Sequence, residues 1–114
     1  MTRVEKPWGY ELIWAKTDKY VGKILHINKG HQLSLQYHKL KEETIYVQSG
    51  KLQFLLEDDN GVHQTLILEP GQSAHTKPLR VHRMTALEDC DIFEVSTPEL
   101  DDVVRLQDDY GRKD

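Results

Sequence analysis

The sequence predicts an all-β domain of antiparallel strands arranged as a sandwich or barrel. Short runs alternate apolar and polar residues with a period of two. Turn signals separate them at close intervals, and no apolar stripe at helical spacing reaches a useful length. The opening Lys6-Pro7-Trp8-Gly9 is rich in breakers and predicts an ordered loop. Strands follow over 10–15 and 20–27, the second with Val21, Leu25 and Ile27 on one face and Ile24 and His26 on the other. After the turn Asn28-Lys29-Gly30, the residues Leu33, Leu35 and Tyr37 alternate with Gln32, Ser34 and Gln36. A polar turn over 39–42 leads to a strand with Glu43, Ile45 and Val47 on one face and Thr44, Tyr46 and Gln48 on the other. Ser49-Gly50 reads as a hairpin into a strand over 51–57, and Asp58-Asp59-Asn60-Gly61 as a hairpin into 62–68. Pro70-Gly71 is the next turn. Short strands are expected over 73–76, 82–86 and 90–96, the last two paired around Leu87-Glu88-Asp89. The acidic tail 101–114, with Val103, Val104 and Leu106, predicts a turn of helix or a strand docked on an edge.

The 114 residues suit one domain, 1–114, with a single core. A net charge of -4 argues against non-specific attraction to nucleic acid or an anionic membrane surface. No apolar run approaches the roughly 20 residues that span a bilayer, and no apolar secretory segment opens the chain. Cys90 is the one cysteine, which rules out an internal disulfide and suits a reducing, cytoplasmic compartment. There is no nucleophile elbow, P-loop or dinucleotide fingerprint.

The stretch 30–50 carries the chemistry. Gln36 and His38, two residues apart, leave the same face of one strand, and Glu43 opens the next. Pairing of those two strands would aim an amide, an imidazole and a carboxylate at one spot, the donor types a divalent cation requires. The alternative is a polar barrel mouth whose imidazole and carboxylate satisfy each other with no ion.

Gly30, Gln36, His38, Glu43 and Gly50 stand at the spacings of the first motif of the cupin superfamily, G-x5-H-x-H-x(3,4)-E-x6-G, with Gln36 in place of the first histidine. Gly71 and His82 match the separation in the second motif, G-x(5–7)-P-x-G-x-x-H, with Lys77 and Leu79 replacing its proline and glycine. The resemblance implies a small antiparallel jelly-roll β-barrel and a metal site of Gln36, His38, Glu43 and His82 holding one divalent ion. Zinc is the first choice, and manganese, nickel, cobalt or iron also suit such donors. The chain further resembles the C-terminal cupin domain of type II mannose-6-phosphate isomerase/mannose-1-phosphate guanylyltransferase. Lys6-Pro7-Trp8-Gly9, Leu33-Ser34-Leu35-Gln36, His82-Arg83 and the closing Val104-Arg105 through Asp109-Tyr110-Gly111-Arg112 carry that likeness across about 4–112. It departs in the loop after His38, where Lys39-Leu40-Lys41-Glu42 replaces a run rich in histidine and arginine. No glycine-rich nucleotide loop precedes Trp8, so nucleotidyl transfer is not expected of these residues.

This likeness implies a metal-dependent sugar-phosphate isomerase that interconverts aldose and ketose through an enediolate. Proton transfer falls to His26, His75 or Lys41, and Lys41, Lys77, Arg80 and Arg83, with Lys23, are the candidate holders of the phosphate. His31 and His63 read as surface residues, Trp8 and Trp14 as edge packing and Cys90 as a core thiol. A non-catalytic cupin that binds a sugar or another small molecule is the main alternative. A cupin dioxygenase or sugar-nucleotide epimerase is the third. The expected partners are a sugar phosphate and a second copy joined through an edge strand.

Overall fold

Gly50 is where the chain leaves one sheet for the other. In the computed structural model, which describes residues 1–112, its backbone adopts φ +88°, and a Cβ there would stand 2.2 Å from the Asp89 carbonyl oxygen. Only glycine meets both demands. The strands on either side, β5 (Glu43–Ser49) and β6 (Leu52–Glu57), therefore do not form the hairpin that Ser49-Gly50 suggests.

The remaining strands are β1 (Thr2–Lys6), β2 (Gly9–Lys16), β3 (Val21–Ile27), β4 (Leu35–Tyr37), β7 (His63–Leu68), β8 (Ser73–Thr76), β9 (His82–Ala86), β10 (Cys90–Ser96) and β11 (Val104–Gln107). They form two antiparallel sheets, one ordered β1-β2-β3-β10-β5-β8 and the other β11-β4-β9-β6-β7. This is the all-β jelly-roll architecture expected. From β3 onward the chain alternates between sheets except at the β6–β7 hairpin, and that corrects two more expected pairings. β4 and β5 lie in different sheets, and β9 and β10 do not pair with each other, β9 joining β4 and β6 while β10 joins β3 and β5. A period-two pattern tells which side of a strand is buried but not which strand lies beside it.

At the ends the structure adds one strand and decides one open alternative. The ordered loop expected at Lys6-Pro7-Trp8-Gly9 is the turn of a hairpin, in which the unforeseen β1 pairs with β2 from Thr2 opposite Ile13 to Lys6 opposite Gly9. Arg3, Glu5 and Lys6 hide that strand behind a polar composition. In the tail, β11 takes the edge-strand option and pairs with β4. Residues 113–114 of the expected tail lie outside the described residues.

The inward residues of four strands change character in the same direction. Toward one end of the sandwich lie Val47 of β5, Ile27 of β3, Cys90 of β10 and Ala86 of β9. Next along each strand come Ile45, Leu25, Ile92 and Met84, with β5 staggered so that Ile45 faces Glu94 in register. At the other end come Glu43, Lys23, Glu94 and His82, and all twelve are buried. Trp8, Leu52 and Phe54 complete the apolar half, where each fully buried large side chain contributes about 1.5–3 kcal/mol. Burying charges at the other end costs free energy unless they are paired, so the polar half is where function is sought.

Candidate metal centre and cavity

Glu43 is the first residue of β5 and His82 the first residue of β9, so the two sheets present them to one another; His38 precedes β5. His82 Nε2 lies 3.1 Å and His38 Nε2 3.4 Å from the same carboxylate oxygen, Glu43 Oε1. All three residues are 2–4% exposed. The other nitrogen of each ring is engaged. Nδ1 of His82 meets the Arg80 carbonyl at 2.9 Å, and Nδ1 of His38 meets the Asp102 carbonyl. A carbonyl only accepts, so each Nδ1 carries a proton, and a ring that is neutral in this tautomer offers its Nε2 lone pair inward.

Two buried Nε2 atoms are thus left without a hydrogen-bond partner. A cation between these lone pairs and the carboxylate relieves the mismatch. Donors about 2.0–2.2 Å from a shared ion stand roughly 3–3.5 Å apart, and the two measured separations fall in that interval. Ligand atoms of His38, Glu43 and His82 all lie within 4.8 Å of one another. The residues present therefore fit a divalent metal ion. Gln36 is the register partner of His82 across β4 and β9, and it lines the same cavity. Its Oε1 accepts the Ser34 hydroxyl at 2.5 Å.

Above this cluster is a cavity of about 310 Å³ whose wall includes Gln36, His38, Glu43, Lys41 and Glu94. Lys41 Nζ sits 3.3 Å from Glu94 Oε2 and 3.4 Å from Glu43 Oε2. Burial opposes its charge, but the Glu94 and Glu43 carboxylates outweigh burial and hold its pKa above the ordinary lysine value. Burial also opposes ionisation of Glu43, yet the polar groups packed around it, the Lys41 ammonium among them, keep its carboxyl well below the usual range. Glu94 goes the other way: burial and the neighbouring Glu43 charge push it up to about 7, against the pull of Lys41. Further along the wall Lys23 pairs with Glu11 at 3.4 Å, both largely buried.

The other residues expected at the site are placed elsewhere. His26 meets Asp91 at 2.7 Å and stacks on Tyr10, and it does not line the cavity. His75 is exposed and contacts Glu42. Lys77 and Arg80 both reach Asp59, at 3.6 and 2.8 Å, in a separate surface depression. Arg83 is spent on the Leu33 carbonyl at 2.9 Å and on Asp109 at 3.6 Å. Lys77, Arg80 and Arg83 thus form no clamp over the cavity, and Lys41 reaches it as the cation of a buried ion-pair network. Trp8 is core rather than edge, while Trp14 is half exposed.

Glu11, Glu94, Arg105 and Arg112 line the cavity without having been singled out from the sequence. Glu94 had a legible signal, since it shares strand parity with the buried Cys90 and Ile92. Arg105 and Arg112 come from the closing segment, for which edge docking is one of two expected readings; nothing local tells that it brings them to this cavity. The glycine of the second motif also gains a reason, and its replacement by leucine here has no structural explanation. Leu79, where that motif has glycine, adopts φ 66°, a left-handed conformation costing a non-glycine residue roughly 1–2 kcal/mol, and its N–H donates to the His38 carbonyl at 2.6 Å.

The closing segment responds to acid. Arg112 binds Asp108 through Nε at 3.0 Å and Nη2 at 2.9 Å, and that fork, helped by Arg105, holds the Asp108 carboxyl below its ordinary 3.8. A lowered carboxylate stabilises the fold above its unfolded pKa, and that contribution disappears as pH falls through the folded value. Amides of residues 108–112 are expected to lose hydrogen-exchange protection as the pH drops below about 3.8. In Asp108→Asn protection is already reduced at neutral pH and no longer follows this titration; an unchanged profile contradicts the assignment.

The Cupin domain family model matches residues 23–96. Solved structures of the same fold include KdgF from a Halomonas species, with 20% sequence identity, 89% of this chain and 91% of that chain covered, and a TM-score of 0.78. An oxalate decarboxylase variant from Bacillus subtilis aligns at 15% identity and a TM-score of 0.80 over 92% of this chain and 30% of that one. An RmlC-like cupin from Shewanella frigidimarina aligns at 14% identity and a TM-score of 0.68, covering 80% and 77%. At such identities the likeness is one of fold. A search of the curated proteins finds no match. With two antiparallel sheets, a His–Glu–His cluster between them and a family match over most of its length, the chain belongs to the cupin domain family.

Proposed function

We propose that the cavity is the active site of a divalent-cation-dependent sugar-phosphate isomerase that interconverts an aldose phosphate such as mannose 6-phosphate with its ketose. The observation carrying the reading is the pair of buried, partnerless Nε2 atoms gathered at one oxygen of the Glu43 carboxylate beside a cavity of about 310 Å³, a volume suited to a small ligand. The motifs shared with mannose-6-phosphate isomerases support the choice of sugar phosphate, because Gln36, Arg105 and Arg112 from those motifs all line the cavity.

In this reading His38, Glu43 and His82, with Gln36, hold the ion. When bound, it supplies Lewis-acid stabilisation of negative charge on a substrate oxygen. Lys41 keeps the Glu43 carboxylate ionised and oriented. Proton transfer is assigned to the cavity carboxyls Glu11 and Glu94 rather than to His26 or His75, which do not line the cavity. Lys6 and Arg105 are cavity-lining cations suited to a phosphate, while Arg112 lines the cavity with its guanidinium forked onto Asp108.

The test is turnover of mannose 6-phosphate and related sugar phosphates by purified protein. Turnover that stops with a chelator and returns with zinc or manganese is expected. Bound metal with no turnover across the panel contradicts the isomerase reading and favours a non-catalytic sugar-binding cupin.

A further inference from the structure

The two imidazoles at the metal cluster are oriented by different means. His82 donates Nδ1–H to Arg80, two residues away, and so is fixed locally. His38 donates to Asp102, 64 positions along the chain. The carboxylate of that same Asp102 accepts three successive backbone N–H groups: Lys39 at 3.1 Å on Oδ1, then Leu40 at 2.7 Å and Lys41 at 2.9 Å on Oδ2. These amides lie in the loop that joins His38 to Glu43 and carries Lys41. Asp102 also sits in the segment 100–112, which supplies Leu100, Val103, Arg105 and Arg112 to the cavity wall.

We propose that Asp102 is a positioning residue for the metal centre: its carbonyl fixes the tautomer and direction of the His38 ring, and its carboxylate fixes the loop between His38 and Glu43. Docking of the C-terminal segment and capture of the cation are thereby one coupled event. This rests on the metal reading above, but the orientation of His38 can be measured without a metal. An outer partner of a metal-bound histidine usually contributes 10–100-fold to affinity. The carbonyl remains when the Asp102 side chain is cut back, so the loss in Asp102→Ala comes from release of the loop and of the segment that presents that carbonyl.

The experiment compares wild type, Asp102→Ala, Asp102→Asn and Asp109→Ala. Asp109 contacts Gln32 and Arg83 in the same segment, and no hydrogen bond joins it to His38. Cobalt(II) is titrated as the probe and its visible spectrum recorded, and the tautomers of His38 and His82 are read by nitrogen NMR in the metal-free proteins. The expected result is a cobalt affinity down by about 10–100-fold in Asp102→Ala, with His38 departing from the Nδ1–H tautomer and His82 keeping it. Asp102→Asn, which retains an oxygen acceptor, recovers most of the affinity. Wild-type affinity in Asp102→Ala, a loss no larger than that of Asp109→Ala, or an unchanged His38 tautomer each overturn the proposal. If wild type itself takes up no cobalt, the metal reading fails on its own, and the tautomer comparison still decides the role of Asp102.

Discussion

Lys41→Met is expected to lower the stability of the metal-free protein by about 3–5 kcal/mol, the usual loss when one partner of a buried ion pair is removed. The lysine is one of the few buried ammonium groups and lies between two buried carboxylates, Glu43 and Glu94. Without it two carboxyls that already repel one another are left facing each other; Glu94 is pushed up to about 7 even with the lysine present. A proton on Glu94 relieves part of that repulsion, so the loss is smaller at pH 6 than at pH 8. Adding Glu94→Gln to Lys41→Met recovers part of it for the same reason, a coupling that a double-mutant cycle isolates. Urea unfolding at the two pH values is the measurement. A loss below about 1 kcal/mol, equal at both, would mean the three charges are solvated rather than mutually supported.

The second large effect concerns the cation. Removing the His82 ring takes away one of the two inward lone pairs. Since loss of a mere supporting partner costs 10–100-fold in metal affinity, His82→Ala is expected to cost at least about 100-fold. His82 is fully buried and its ring centroid lies 6.1 Å from that of Phe54, so truncation also opens a void. His82→Leu, which nearly preserves volume and offers no ligand atom, separates the two effects, because it should lose affinity while leaving no large void. Calorimetric titration with zinc reads the affinity. Retained tight binding in both variants would remove His82 from the ligand set.

The sequence made the fold class and most strand limits legible, because alternation such as Cys90, Ile92, Glu94 and Ser96 marks a buried face directly. Pairing was hidden. Ser-Gly between two alternating runs is a local hairpin signal, whereas the fate of Gly50 is set by the Asp89 backbone packed against it from far along the chain. The metal cluster was readable from motif spacing, although the expected means was not how the structure achieves it: β4 and β5 do not pair, and His82 and Glu43 approach from opposite sheets. The anion clamp was unreadable for a related reason. Lys77, Arg80 and Arg83 cluster in sequence, but Asp59 and the Leu33 carbonyl draw them elsewhere. The contributions of Asp102, Arg105 and Arg112 depend on edge pairing of β11 with β4, an option the apolar cluster of the tail left open without naming the partner strand or the side chains it would deliver.

X-ray absorption at the zinc edge, on protein loaded with one equivalent of zinc and dialysed, tests the central claim most directly. The account predicts one zinc per chain with the multiple-scattering signature of two imidazoles and a carboxylate oxygen in the coordination shell. Zinc that dialyses away, or a shell of oxygen donors without imidazole, contradicts it.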